Sequence, residues 1–417
     1  MPASHRANAR HYQVLAPVPA LISAVLLGGL ASASWAQTQV VKPPVAQYWM
    51  DVSTLRIAGM DEMPGRQLDL AITTQRKPAG TQAIQTIPAG MAMGSSLTLL
   101  PTPPANSSKP NTPPPQDDAS AEMPNKPRGR ILMYWGCGEA VRSGQPKILD
   151  AANANPADYV QFMRGRASPE RGATAAPGNS VWPNTASNEQ VPANASLQGL
   201  HAINGDGIPA GLQFTLGEAQ DFLPPLDISA SGTRSQTIAL RWTAQIQARA
   251  YFLNAMGSNG DDMVVWSSAE TPEPGWGLMD YQSPANLTQW LGDKTVLPAS
   301  QTECAIPSGI FAKSDGAMVQ GIAYGQELDL VHPPRPLNKK VAWTPDWSAQ
   351  VRVKSVTLLP LERDTPPNRK RTKPPATPSS GPERPDDGTD QKGLLPVVPG
   401  LPGIPGLGDA LKGLFGR

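Results

Sequence analysis

Thr237–Glu270 reads TIALRWTAQIQARAYFLNAMGSNGDDMVVWSSAE, and this stretch decides the fold class. Ile238, Leu240 and Trp242 alternate with Ala239, Arg241 and Thr243. A period of two belongs to a strand with one buried face, so Trp242 is expected to face a core and Arg241 water. Tyr251–Met256 and Met263–Trp266 are two further apolar runs, separated by Gly257-Ser258-Asn259-Gly260-Asp261-Asp262. Asn-Gly between apolar runs is a strong hairpin signal because both residues tolerate positive φ. The sequence therefore predicts a hairpin from Tyr251 to Trp266 with Asn259-Gly260 in its turn.

The same alternation recurs on both sides. Gln47–Ile57 and Gln67–Thr73 read as strands around the turn Glu62-Met63-Pro64-Gly65, and Ala83–Leu100 as two more, broken at Pro88-Ala89-Gly90. Arg130–Tyr134 reads as a buried strand, and Ser196–Ile203, Leu212–Leu216 and Trp343–Leu361 also read as strands. Pro156–Gly165 is expected to be a short helix. Ser283-Pro284 opens a second helix to Gly292, with serine as N-cap and proline at the first helical position. The expected fold is mostly β, one or two β-sandwich-like modules with long disordered Pro-rich segments. The expected divisions are residues 1–36, 37–100, 101–128, 129–230, 231–361 and 362–417.

Composition agrees with this. The chain of 417 residues holds 47 prolines and 38 glycines and only 17% charged residues, which suits short strands separated by turns. Pro101–Arg128 and Glu362–Lys392 carry too little apolar surface to offset their ordering entropy. Arg166–Ala195 is a further polar excursion rich in Pro and Asn. The net charge of +1, without a basic stripe, leaves no nucleic-acid footprint.

Residues 1–36 have the form of a signal peptide: His5, Arg6, Arg10 and His11, then the apolar run Leu21–Leu30, then Ser34-Trp35-Ala36. Ten apolar residues are too few to span a bilayer, and no transmembrane segment is expected in the mature chain. The product is expected to be periplasmic or secreted. At the other end, Leu407, Ala410, Leu411, Leu414 and Phe415 fall at i, i+3, i+4, i+7 and i+8. That apolar stripe fits docking on a protein or envelope partner, against the alternative of an unpartnered apolar terminus.

The order Trp242, Tyr251, Trp266, with Ala317–Gly325 as a later strand, resembles a fibronectin type III-like β-sandwich over residues 231–330. Tyr134-Trp135-Gly136-Cys137-Gly138-Glu139 and His332-Pro333-Pro334-Arg335-Pro336 resemble stretches in a group of exported bacterial proteins. That second resemblance implies export and no particular activity.

Candidate chemistry is sparse. Cys137 and Cys304 are the two cysteines, and in an exported protein two cysteines most often pair, so a disulfide between them is expected. The rival reading makes Cys137 a nucleophile, which needs a base such as His201 or His332. Glu139 and Glu270 each follow a tryptophan by four residues, and a carboxylate pair beside aromatics is what a glycosidase uses, although an acid ending a strand ordinarily just faces water. Asn259, Asp261 and Asp262 lack the spacing of a calcium loop. Trp182, Trp276 and Trp290 are candidates for exposed sugar platforms. No catalytic, cofactor or metal residue is assigned. The leading reading is a non-enzymatic exported protein that binds a partner, and the alternative is a hydrolase using Cys137 or Glu139 with Glu270. Cleavage after Ala36 is the direct test of export: the intact mass of the exported form should start at Gln37, and a full-length chain held in the cytoplasm would contradict it.

Overall fold

A computed structural model describes residues 39–60, 65–76, 82–103, 128–169 and 171–362. The period-two runs are strands. Seventeen occur among the described residues: β1 (Ala46–Ile57), β2 (Arg66–Thr74), β3 (Ala83–Thr86), β4 (Ser96–Pro101), β5 (Arg130–Trp135), β6 (Lys147–Asp150), β7 (Ser180–Trp182), β8 (Gly199–Gly205), β9 (Gln213–Leu216), β10 (Ile228–Ser231), β11 (Ile238–Trp242), β12 (Ala250–Asn259), β13 (Asp262–Ser267), β14 (Leu297–Pro298), β15 (Glu303–Ile306), β16 (Gly316–His332) and β17 (Trp347–Pro360). Two α-helices join them, α1 (Pro156–Phe162) and α2 (Pro284–Gly292). Ser283 caps α2 by accepting from the Asn286 N–H at 3.2 Å, as the Ser-Pro start predicts.

Thirteen of these strands follow one another in a single mixed sheet, β6-β5-β13-β12-β16-β17-β1-β2-β7-β4-β3-β8-β9, with β14 on β12. The first and last described long strands, β1 and β17, lie side by side in parallel over twelve register pairs, Ala46↔Trp347 to Ile57↔Leu358. The sheet thus runs through the ranges 37–100, 129–230 and 231–361. A second sheet, β10-β11-β15, packs on the first through Trp242 and Tyr251, whose rings meet edge-on at 5.5 Å. The β3-β8-β9 end folds back over β1, where Phe214 lies 5.7 Å from the Tyr48 ring.

Alternation sends one side of each central strand inward. Tyr48, Met50 and Val52 of β1, Leu68, Leu70 and Ile72 of β2, and Val351 and Val353 of β17 enter one large core. The opposite faces of β1, β12, β16 and β17 carry Leu55, Phe252, Ile322 and Val356 into a smaller core under α2. Further along this second face the same strands present polar residues. A bulge between Tyr324 and Glu327 adjusts β16 there, so that Glu327 faces Arg352 while Leu328 and Leu330 pack inward.

Four expectations need correction. The hairpin forms, but Asn259 pairs with Asp262, so Gly260 and Asp261 are the central turn residues. Gly260, at φ +57°, is the first of them, where a type II′ turn wants glycine. β5 is not a buried strand: only Met133 is fully buried, because β5 has a short partner, β6, near the sheet edge. The excursion 166–195 supplies β7, which bridges β2 and β4. Trp182 and Trp290 are not platforms but core residues, 2% and 5% exposed, whereas Trp276 is 38% exposed.

Cys137 and Cys304 sit at bonding distance, 2.07 Å between sulfurs, with Cα atoms 5.1 Å apart and 167 residues between them in sequence. Around them the chain after β5 is stitched to both sheets: Gly136 N–H donates to Ser267 O, and Gly138 N–H to Ala305 O, each at 2.9 Å. Closing a loop of 167 residues limits the unfolded chain by up to about 5 kcal/mol. Denatured, unreduced protein should therefore take up no thiol label, and the double change Cys137→Ser/Cys304→Ser should lower unfolding free energy toward that ceiling. Two labelled thiols in exported protein would overturn this.

Candidate functional site

The polar positions of the second face line up across four strands. Asp69 of β2 opposes Asp51 of β1, Asp51 opposes Arg352 of β17, and Arg352 opposes Glu327 of β16. The next row holds Gln67, Ser53, Lys354 and Tyr324. In sequence these residues look like the wet half of alternating strands. In the fold, two loops cover them. Segment 277–283, before α2, brings Asp280 and Tyr281. Residues 164–169 and 171–176 cross β1 as a strap.

The strap is clipped at both ends of its crossing. Arg166 donates through its backbone N–H and its guanidinium to the buried Glu273. Arg171 donates to Glu327 at 2.6 Å and lies 5.8 Å above the Trp49 ring. Between them the Ala173 N–H donates to Asp51 Oδ2 at 2.9 Å. Gly172 passes so close that a Cβ there would fall onto Arg352 Nη2 and Asp51 Oδ2, and its φ of +128° lies in the region glycine adopts.

Under the strap the charges are paired. Arg352 donates Nε to Asp51 Oδ1 at 2.7 Å and Nη2 to Oδ2 at 2.5 Å, with both side chains below 10% exposure. Lys354 Nζ donates to Asp280 Oδ1 at 2.8 Å. The Tyr281 ring lies 4.3 Å from the Arg352 guanidinium and 4.2 Å from Lys354 Nζ. Burial raises the Tyr281 hydroxyl well above its usual range, so it stays neutral. The Asp280 side chain is 64% exposed at the mouth of the cavity; partial desolvation pushes its carboxyl up, but Lys354 outweighs it and holds the group below its usual range. Burial also raises Glu327 despite the hydrogen bond from Arg171.

Asp69 stands apart. Among the described residues its carboxylate makes no hydrogen bond and no ion pair. Burial first, and then the charge of Asp51, push it up to about 6, against the pull of Lys354. It opens into a cavity of about 200 Å³ that Trp182, Asp280, Tyr281, Arg352 and Lys354 also line. A second cavity, of about 400 Å³, lies beside Trp49, Gln47, Thr73 and Asn179. Arg171 and Thr174 line both, so the strap stands between the two spaces.

The residues singled out in the sequence do not form a reaction centre. His201 is fully buried, and both ring nitrogens are engaged, Nδ1 with Gln85 Nε2 at 3.1 Å and Nε2 with Leu197 O at 2.7 Å. Burial lowers its pKa, and the Nε2–H tautomer completes a chain in which the Tyr48 hydroxyl donates to Gln85 Oε1. Trp135, two residues before Cys137, is level with Gln320 through Ser267 and Asn254. His332 lies twelve residues beyond Gln320 along β16, roughly 30–40 Å away at ~3.3 Å per residue. Both oxygens of Glu270 accept from Arg142, at 2.6 and 3.1 Å, and this lowers its pKa. The Glu139 side chain faces water, while its carbonyl accepts from Ser308 and Thr237. Asp262 is bound by Arg130. Leu407, Leu411, Leu414 and Phe415 lie outside the described residues.

No protein-family model matches the chain, and no curated protein matches it.

Asp69 makes stability depend on pH with a defined sign. Its folded pKa of about 6 is above the usual 3.8, so the folded state binds the proton more tightly. Ionised Asp69 therefore destabilises the fold, from nothing below about pH 4 to its full effect above about pH 6. Asp69→Asn should raise stability at pH 7.5 by on the order of 2–3 kcal/mol and change it little at pH 3.5. Thermal melts at the two pH values decide this; an equal gain at both would contradict it.

Proposed function

We propose that this is an exported, non-enzymatic binding protein whose ligand occupies the strapped cavity between Asp69, Tyr281 and Arg352. One observation carries the reading. Among the described residues, a carboxylate is left without a protein partner in a cavity, on a face where the other charges are matched. A structural role would be served better by a paired or apolar residue at 69, since an unpaired half-buried carboxylate costs stability.

The hydrolase reading has less support. Cys137 has its sulfur against that of Cys304, Glu270 is clamped by Arg142, and Asp51, the carboxylate nearest Asp69 in register, is closed off under Gly172. A two-carboxylate mechanism needs both groups open to substrate and water. Export is supported by the form of residues 1–36 and by a cysteine pair at bonding distance. No described helix is long and apolar enough to cross a membrane. The stripe Leu407–Phe415 is the place where a protein or envelope partner would dock.

Native mass spectrometry of the exported protein, purified under mild conditions, tests the proposal. The expected result is a retained small molecule, absent from Ala175→Trp, which narrows the cavity from its exposed rim. Chromogenic esters and glycosides should show no turnover. Turnover that disappears in Cys137→Ser or Glu270→Gln would sink the binding reading in favour of the hydrolase.

A further inference from the structure

The charges around the small cavity fall into couples, one of them completed by Glu327 from outside the lining. Arg352 has Asp51 at 2.5 Å, Lys354 has Asp280 at 2.8 Å, and Arg171 has Glu327 at 2.6 Å. Each cation on this wall therefore has its own carboxylate, and Asp69 is the one left over. Among the described residues the lining is neutral with Asp69 ionised; once Arg171 is counted with Glu327, which holds it from outside the lining, one negative charge remains, and protonation of Asp69 removes it. Cross-strand geometry sharpens this: Asp51 and Asp69 are direct antiparallel partners, with Cβ atoms ~4.5–5.5 Å apart, and like charges so placed repel.

We infer that the cavity binds a primary ammonium group on a short apolar chain, with Asp69 as its counter-ion. This rests on the reading of the cavity as a ligand site. The ammonium is matched by the free carboxylate, and the three N–H donors of an ammonium need acceptors that Asp69 can supply without breaking an existing pair. The chain is kept short by a mostly polar lining in which Pro183 and the Tyr281 ring offer apolar surface. Size sets the scale: about 200 Å³ is the room of roughly seven waters at ~30 Å³ each, so the guest is a small amine rather than a drug-sized molecule. An anion would meet a cavity whose guanidinium and ammonium groups are already bound to carboxylates.

Binding is coupled to protons through Asp69. The charged groups facing it are Asp51 from β1, Arg352 and Lys354 from β17, Arg171 from the strap and Asp280 from the loop before α2. With Asp69 titrating near 6, the empty cavity is mostly protonated at pH 5 and mostly ionised at pH 7.5. Since an ammonium selects the ionised form, affinity should rise about tenfold between these pH values.

The test uses the exported full chain and three probes with the same five-carbon chain: n-pentylamine, pentan-1-ol and pentanoate. Calorimetry or tryptophan fluorescence should show pentylamine binding at least tenfold tighter than the other two at pH 7.5, with that preference lost in Asp69→Asn. Because Asp69→Asn is expected to melt higher than the native protein, its loss of binding would not be a folding failure. A peptide with one lysine, set against its acetyl-lysine counterpart, separates the two sources of such a group: a lysine of a partner chain if the peptide binds tighter than pentylamine, a free amine if it does not. Equal binding of amine and alcohol, unchanged in Asp69→Asn, would overturn the ammonium assignment and leave a ligand cavity standing. Tight binding of pentanoate would overturn it too. No binding of any probe to native protein would remove the assignment; a retained molecule in mass spectrometry would then still separate that result from failure of the ligand-site reading.

Discussion

The Asp51–Arg352 ion pair is the contact on which this face of the protein depends. It joins the first long strand of the described chain to the last, in a parallel ladder of twelve residues a side. Removing both charges from water is expensive, and the attraction offsets it only with good geometry and satisfied lone pairs. Both conditions hold: the guanidinium donates twice to the carboxylate, and the Ala173 N–H donates once more. Slipping β17 by one residue would set Asp51 beside a valine and turn Arg352 into the apolar core, so the pair also fixes register.

The arrangement around it follows. Because Asp51 and Arg352 are level, the strap can close over them only where the chain has no side chain, at Gly172. Because β16 bulges after Tyr324, Glu327 arrives beside Arg352 and can hold Arg171, which anchors the strap. Because Lys354 lies one step further along β17, it meets Asp280 and shares the Tyr281 ring with Arg352. These matched pairs account for the bases. Asp69 is what remains, and its raised pKa records the mismatch. A residue that weakens the fold in its ionised form and points into a cavity is the pattern expected where binding has been kept at the expense of stability.

The rest of the molecule is quieter. The Tyr48–Gln85–His201–Leu197 chain satisfies buried polar groups in the core and leaves no ring nitrogen for chemistry. The Cys137 neighbourhood joins sheets. Arg142 holds both Glu270 and the Cys137 carbonyl, so the glycines and acids there build a junction rather than a cleft.

What the sequence determined by itself is local. The period of two in Ile238–Trp242 and Gln47–Ile57, the Ser-Pro start of α2 and the hairpin itself are each set by neighbours within a few residues, and they stand in the fold where the pattern put them, with the turn one residue further on. The mostly-β class follows from them. The cavity was not legible in this way. Asp51 and Asp69 read as outward positions in MDVS and LDLA, and Arg352 and Lys354 as outward positions in VRVKS, because alternation reports which side of a strand a residue takes and not what lies over that side. That cover comes from residues 164–169, 171–176 and 277–283, and the pairing of β1 with β17 spans about 300 residues of chain. Trp182 shows the same limit: a tryptophan in a polar, Pro-rich stretch looks exposed until β7 is placed between β2 and β4. Tertiary structure alone decided which polar face stayed open and which was covered, since a charge is assigned its partner by distance in space and not by distance along the chain.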